Sequence, residues 1–364
     1  MKRLSAFAIV FFLLATLLGV GAEGDLSLST QVKTAASLYS KIATPFSISL
    51  GSSTGLGVLL KGSREQASLR ARARLSLLQG KEATDLWLAL GLGGSGDDYL
   101  LTAPAFDATS TAPSAILALA LEELALRGHS GTLSFEAGLS HANWGTGKAF
   151  SPADHFTDID YSSGQPSHRS IILAKATWYP SPVSSLELVM APYFRLGKAF
   201  ALRGYTTLFD TATFAVSAGL REDTGSSTWL LLGGAEINID LPYISFYGET
   251  AINLDPKNSW KLDYSIMGGA ETRIADVSLM GEYLFDLGGS PAHSIYTAAA
   301  WKIDEWLSLA LPLYYTPSPE SLSFGAALSA SGFGAMEYLA DLSWGKNAIG
   351  DWFMGFTLQA GLSL

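Results

Sequence analysis

Between Ala67 and Leu77 the chain alternates one residue at a time. Ala67, Leu69, Ala71, Ala73, Leu75 and Leu77 are apolar, and Ser68, Arg70, Arg72, Arg74 and Ser76 lie between them. A helix would smear these two sets around its surface, whereas a strand, whose side chains repeat every two residues, sorts them onto opposite faces. Three arginines therefore share one face of a strand whose other face is apolar. Similar segments follow at 84–93, 114–126, 132–141, 170–179, 185–194, 204–209, 212–221, 228–240, 243–253, 262–273, 277–286, 294–303, 307–315, 321–331, 335–344 and 352–364. Many lie near the roughly 9 to 11 residues that a tilted strand needs to cross a bilayer.

Composition decides what the second face meets. Charged residues make up only 15%, aromatics reach 11%, there are 37 glycines and no cysteine. After the N-terminus no apolar run is long enough for a spanning helix. Few charges and many glycine and aromatic residues suit a sheet that shows an apolar band to lipid. An open sheet of this size would leave edges that lipid cannot satisfy, so the strands must close. The expectation is an all-β, closed antiparallel transmembrane β-barrel of roughly 16 to 18 strands. The higher number counts one strand before Gln66, in a weakly patterned segment that reads as one strand, two, or a piece tucked into the lumen. The net charge of −10 offers no basic footprint for nucleic acid.

The ends of the chain fit export. Lys2 and Arg3 precede an apolar run from Ala6 to Leu18, and Val20-Gly21-Ala22 is a small-residue cleavage site. Residues 1–22 read as a signal peptide and 23–364 as a single barrel domain. In the last segment Trp352, Met354, Phe356, Leu358, Ala360, Leu362 and Leu364 are apolar, with Gly355, Thr357, Gln359, Gly361 and Ser363 between them. Such an ending resembles the signal by which outer-membrane barrels are taken up for insertion, with Leu364 where phenylalanine is more usual. Short connections at 128–130, 180–183, 210–211, 240–242, 275–276, 304–305 and 332–334 are expected on the periplasmic side, with longer ones outside. Trp301 and Trp306, and Trp344 and Trp352, flank two of the connections, as interfacial girdles do. One segment points elsewhere: 115–127, rich in Ala, Leu and Glu, has the composition of a short plug helix.

If the apolar faces meet lipid, the alternate positions line the lumen. Arg70, Arg72 and Arg74 then face inward, and far along the chain so do Glu236, Asp240, Glu249, Asp263, Glu271, Glu282 and Asp286. Basic and acidic walls set apart would orient dipolar solutes and bias ion passage; the competing reading is that these charges pair and stiffen the wall. The long connection after the 132–141 strand carries Trp144, Lys148, Asp154 and Asp158. If it folds inward, Lys148, Asp154 and Asp158 become constriction residues, and Trp144-Gly145 is expected where the chain leaves lipid depth.

Catalytic patterns are thin. His129, His141, His155, His168 and His293 lie near turns, without metal-ligand spacing, and no serine sits in a nucleophile elbow. Asp154, His155, Asp158 and Asp160 lack a complete cation-loop pattern, and Gly145 and Gly147 lack the third glycine and the helix of a dinucleotide site. No enzyme activity, metal or cofactor is expected.

Leu119 to Leu124, Leu133 to Gly138 and Asn143-Trp144-Gly145-Thr146-Gly147 with Phe150, Pro152 and Asp154 together resemble bacterial outer-membrane porin-like barrels, in which a strand pair precedes a Trp-Gly-x-Gly-x-x-Phe-x-Pro-x-Asp hinge. The succession Arg169 to Leu173, Tyr179-Pro180-Ser181-Pro182, Leu186 to Val189 and Pro192 is similar to the two strands that follow there. The resemblance implies that Glu122 to Leu124 belong to a strand and not to a plug helix. The functional expectation is passive diffusion of small hydrophilic solutes across the bacterial outer membrane. The alternatives are a transporter of hydrophobic compounds, or a structural or adhesive barrel with a blocked lumen. Expected partners are the lipid bilayer, the outer-membrane insertion machinery and the solutes, with a homo-oligomer open to such a barrel.

Overall fold

The computed structural model describes residues 25–42, 47–64, 66–91, 99–106, 115–142, 144–156, 159–160, 167–168, 170–193, 198–223, 228–258, 260–288, 292–317, 320–333, 336–346 and 350–363. The expected leader over 1–22, and Asp158, lie outside the described residues. Three long strands begin the wall: β1 (Asp25–Ile42), β2 (Ser47–Arg64) and β3 (Ala67–Gly80). After them come a helix, α1 (Lys81–Gly91), and the strands β4 (Tyr99–Phe106), β5 (Ala115–Ser130) and β6 (Leu133–Ser140). A long connection, with a two-strand bridge of β7 (Ile159–Asp160) and β8 (Ser167–His168), leads to β9 (Ile171–Ser181), β10 (Ser184–Tyr193) and β11 (Ala199–Leu208). The wall continues as β12 (Ala212–Asp223), β13 (Thr228–Asp240), β14 (Ile244–Asp255), β15 (Lys261–Ile274) and β16 (Val277–Asp286). It ends with β17 (Ala292–Asp304), β18 (Leu307–Pro317), β19 (Glu320–Phe333), β20 (Met336–Lys346) and β21 (Trp352–Ser363).

Neighbours in sequence pair antiparallel around the ring, and β21 returns to β1 in a register from Gln31↔Ser363 to Ile42↔Trp352. This closes an 18-strand barrel. β4 is an extra strand. It covers the free edge of β5 from Ala115 to Ala120, above the point where β6 takes over pairing at Leu124. An uncovered edge there would leave backbone groups unpaired.

Eighteen strands arise here by a route other than the segment count. The stretch before Gln66 holds two strands, not one, and of the segment 84–93 the described residues, 84–91, lie in α1 and not in a strand. The two differences cancel. Apolar Leu86, Leu88, Leu90 and Leu92 read as alternation, yet the chain winds so that Ala83 and Leu86 pack on Leu78, Ile116 and Ala118, inward positions of β3 and β5. A Lys81–Asp85 ion pair one turn apart supports the helix. The helix-rich composition of 115–127 is overridden in the opposite sense, because that segment is held by β3 on one edge and by β4 and β6 on the other. The short segment at 204–209 is the end of a full strand, β11.

The outer face is apolar along the wall. Val216, Ile237, Phe246, Leu279 and Leu358 are each 41–50% exposed in the isolated chain, a continuous display that only lipid makes favourable. Trp344 stacks on Trp352 at 5.0 Å, and the Trp306 indole donates to Asp304 at 2.8 Å. These rings stand at opposite rims, where aromatic girdles belong. Val216 lies mid-strand on this face. Val216→Arg should lower folding stability in lipid by roughly 2 to 4 kcal/mol, measured by reversible denaturation; an unchanged midpoint would take Val216 off the lipid face.

Candidate functional site

β6 ends at Ser140, paired with Ile171, while β5 continues upward against β4. The chain therefore leaves the wall part-way up and turns into the lumen, carrying backbone N–H groups that have lost their ladder partners. Buried, each must find an acceptor. Five consecutive ones do so on two wall carboxylates. The N–H groups of Thr146 and Gly147 both donate to Glu249 Oε1, the latter at 2.6 Å; Lys148 donates to Glu282 Oε1 at 2.6 Å; Ala149 and Phe150 donate to Glu282 Oε2 at 2.9 and 2.8 Å. Ala153 then returns to Glu249 Oε2 at 3.0 Å. A run of successive N–H groups curled around an anion is a nest. Glycine makes it reachable: Gly145 has φ +91°, and a Cβ on Gly147 would collide with the Phe150 carbonyl. Tyr247 crosses over Gly269 to donate its hydroxyl to Glu282 at 2.8 Å.

Apolar packing seats the same loop. Phe150 and Ala149 pack on Tyr247, Met267 and Tyr296, inward residues of β14, β15 and β17. Trp144 and Phe156, edge to face with ring centroids 5.0 Å apart, pack on Ile171, Leu173, Val189, Ala191, Ala199 and Ala201 of β9 to β11. The indole N–H of Trp144 donates to Glu187. His155 is buried over Gly234, with Nε2 3.5 Å from Ser217 Oγ. Desolvation, with the Arg221 charge adding, pushes its pKa down to about 4, so the ring is neutral at pH 7.

Opposite charges meet on neighbouring strands. Arg70 pairs with Glu123 at 3.0 Å and Arg74 with Glu122 at 3.1 Å. Arg127 pairs with Glu136 at 3.0 Å, and Lys175 lies 3.6 Å from Glu136 and 3.9 Å from Glu187. Arg127, Glu136, Lys175 and Glu187 line a recess of about 390 Å³ toward the tight-turn end. Arg203 grips Glu236 with two parallel bonds, 2.8 and 2.6 Å, in a pair whose side chains are 15% and 1% exposed.

The positions singled out from parity thus sort into distinct environments. Glu236, Glu249 and Glu282 are buried and committed, the first to Arg203 and the others to the loop. Glu271 is approached by Lys148 Nζ at 3.9 Å, and the Lys148 side chain, 57% exposed, projects into open lumen. Asp286 accepts from Ser265, Asp263 from Lys261, and Asp240 from Asn238 at the tight-turn rim. Asp154 is buried within the loop and accepts the Phe156 N–H at 3.1 Å. Trp144 does not mark the exit from lipid depth; the chain has already left the wall at Ser140, and the indole is 2% exposed inside. The partners Glu122, Glu123, Arg127, Glu136, Lys175, Glu187 and Arg203 were not singled out from the sequence as site residues. Two signals in the sequence mark them: charges mid-strand on consecutive segments, and unbroken apolar runs such as Ile171-Ile172-Leu173, where the inner face is apolar because the loop covers it.

No family model matches the chain, and no curated protein matches it in sequence. Solved structures match its fold. Pseudomonas aeruginosa OpdK, solved with vanillate, superposes with a TM-score of 0.61 at 7% identity, over 93% of this chain and 98% of that one. Acinetobacter baumannii OccAB4 gives 0.61 at 8% identity over 93% and 98%, and Pseudomonas aeruginosa OccK7 (OpdD) 0.60 at 8% over 94% and 99%. At such identity the likeness is one of architecture, and the hinge motif rests on the sequence alone.

Removing one partner of a buried ion pair strands the other charge. Arg203→Met should cost roughly 3 to 5 kcal/mol, and adding Glu236→Met should restore most of it. Equal instability in the single and double variants would show that Arg203 acts by packing and not by charge.

Proposed function

We propose that the protein is an outer-membrane channel through which small hydrophilic solutes diffuse, exported by its leader and oriented with the tight turns in the periplasm. The observation that carries this reading is the division of the inner wall. The loop packs on β9 to β18, where Phe150 meets Tyr314, leaving the inner faces of β19 to β21 and, away from α1, of β1 to β3. Those faces carry small and polar side chains such as Ser329, Ser343, Thr357, Gln359, Gln31 and Ser37. Solvent on that side meets polar surface, as an aqueous path requires. The alternating β21, paired to β1, supports handling by the insertion machinery.

Among the described residues, Lys33, Lys61 and Arg72 on β1 to β3 and Glu337 and Asp341 on β20 take part in no ion pair. These charges, together with the exposed Lys148 and Glu271, are able to act on a passing solute, whereas Glu236, Glu249 and Glu282 are buried and committed. Cations on one side and carboxylates two strands away favour small dipolar or charged solutes over neutral ones. The fold neighbour solved with vanillate is consistent with solutes of that size. The reading of a blocked lumen draws on α1 and the loop, both of which lie inside the barrel wall.

Reconstitution into planar bilayers separates the two. Stable unitary current steps are expected; their absence from protein that runs as a folded, heat-modifiable band would sink the channel reading. Arg72→Ala should move the reversal potential in a salt gradient toward the cation value, and Asp341→Asn should move it the other way. If neither substitution shifts it, the free charges do not face the path.

A further inference from the structure

Glu249 and Glu282 are both 3% exposed, and among the described residues neither is in an ion pair. Their partners are neutral donors: the backbone N–H groups of Thr146 to Phe150 and Ala153, the hydroxyls of Thr146 and Ser151, and the Tyr247 phenol. A cation would keep such a carboxylate ionised through a wide range of acidity; neutral donors oppose desolvation less strongly. Glu249 also stands directly across the β13–β14 ladder from Glu236. That is a like-charge pair of which Arg203 neutralises one member.

The other titratable and charged groups around the seat do not supply a counter-ion. Arg203 is held bidentate by Glu236, and Lys148 Nζ lies by Glu271. Tyr247 and Tyr296 face Glu282 from β14 and β17 as neutral phenols. From the loop and β12, Asp154, His155 and Arg221 gather at the far end of the seat.

We infer that Glu249 is a positioning residue at the centre of a proton-operated latch: ionised it holds the loop against the wall beside Glu282, and protonated it lets that stretch go. The inference rests on the channel reading. A protonated carboxyl has lost its charge and has one oxygen that accepts more weakly and now carries a donor, set against the N–H groups it formerly received. The nest then has more donors than acceptors, and its N–H groups regain partners only by moving into water. His155 pushes in the same direction. Its folded pKa, about 4, lies below the ordinary value near 6.5. The docked loop therefore loses stability as pH falls through that interval, and at its lower end a charged imidazole forms beside Arg221. Apolar contacts of Phe150, Trp144 and Phe156 remain, so the released loop moves on and off the wall, and the aperture fluctuates where it had been steady.

Single-channel recording tests this, with a lock supplied by the geometry. A Cβ on Gly234 would stand 3.5 Å from that of Ala153, within the span of a disulfide once the Ser217 hydroxyl, 2.6 Å from the same Cβ, turns aside, and the chain has no cysteine of its own. The native channel should be quiet at about pH 8 and step between substates at about pH 4. Glu249→Gln should show those substates already at pH 8 and lose most of the response to acid, the remainder being that of His155. The Ala153→Cys/Gly234→Cys channel should be quiet at both pH values when oxidised and regain the acid response when reduced. Acid substates that persist in the oxidised channel, or native gating unchanged down to pH 4, overturn the latch. If the glutamine variant does not refold, the cross-linked channel decides alone. Absence of current at every pH would defeat the channel reading instead, whereas steady current at every pH defeats only the latch.

Discussion

A peptide that leaves a β-ladder inside a barrel takes its hydrogen-bonding demand with it, and this demand organises the lumen. Five successive N–H groups from Thr146 to Phe150 leave the sheet together and cannot pair with one another. Each must find water or an acceptor. Two glutamates from strands two apart, Glu249 on β14 and Glu282 on β16, satisfy all five. The arrangement costs the desolvation of two charges, which the N–H dipoles and the Tyr247 hydroxyl offset. The nest draws the loop close, and Phe150 then buries its ring on Tyr247, Met267 and Tyr296. Polar anchoring and apolar packing reinforce each other because both act on the same short stretch.

The loop's position sorts the inner wall. Where it docks, the inner face of the sheet is apolar, as at Leu173, Val189 and Ala201, and the barrel there is buried on both sides like an ordinary sheet between two layers. Where it does not, the inner face keeps Ser, Thr, Gln and Lys. Lumenal charge follows the same division. Near the loop and along β3 to β11, many carboxylates and cations are consumed by one another or by backbone donors; among the described residues, Lys33, Lys61, Arg72, Glu337 and Asp341 on β1 to β3 and β20 are in no ion pair. Net charge says little about such a lumen, since most of its ionic groups are already spoken for.

The barrel and its inward parity were legible from residues close in sequence, and the exceptions have local causes. The glycines at 51, 55 and 57 weaken the alternation of β2, and their bareness has a use: Gly51 leaves room for Glu82 of α1, and Gly55 for the Arg74 side chain. A segment that reads as poor strand was therefore a strand shaped for its lumenal neighbours. Residues 84–93 fit both periods, as short apolar runs do, and only the wall against which Ala83 and Leu86 pack breaks the tie. In 115–127, helix propensity lost to two flanking ladders.

What the sequence by itself determined is the alternation, and with it closure and the choice of which side chains point inward. A period of two leaves each strand no other assignment once one face must meet lipid. Only the tertiary structure decided what those inward side chains do. Thr146 meets Glu249 across 103 residues of chain, and Lys148 meets Glu282 across 134. Nothing local in either segment encodes that distance. Pairing across the lumen depends on how far around the ring each strand falls and how deep the loop descends. Those quantities exist only after the barrel has closed.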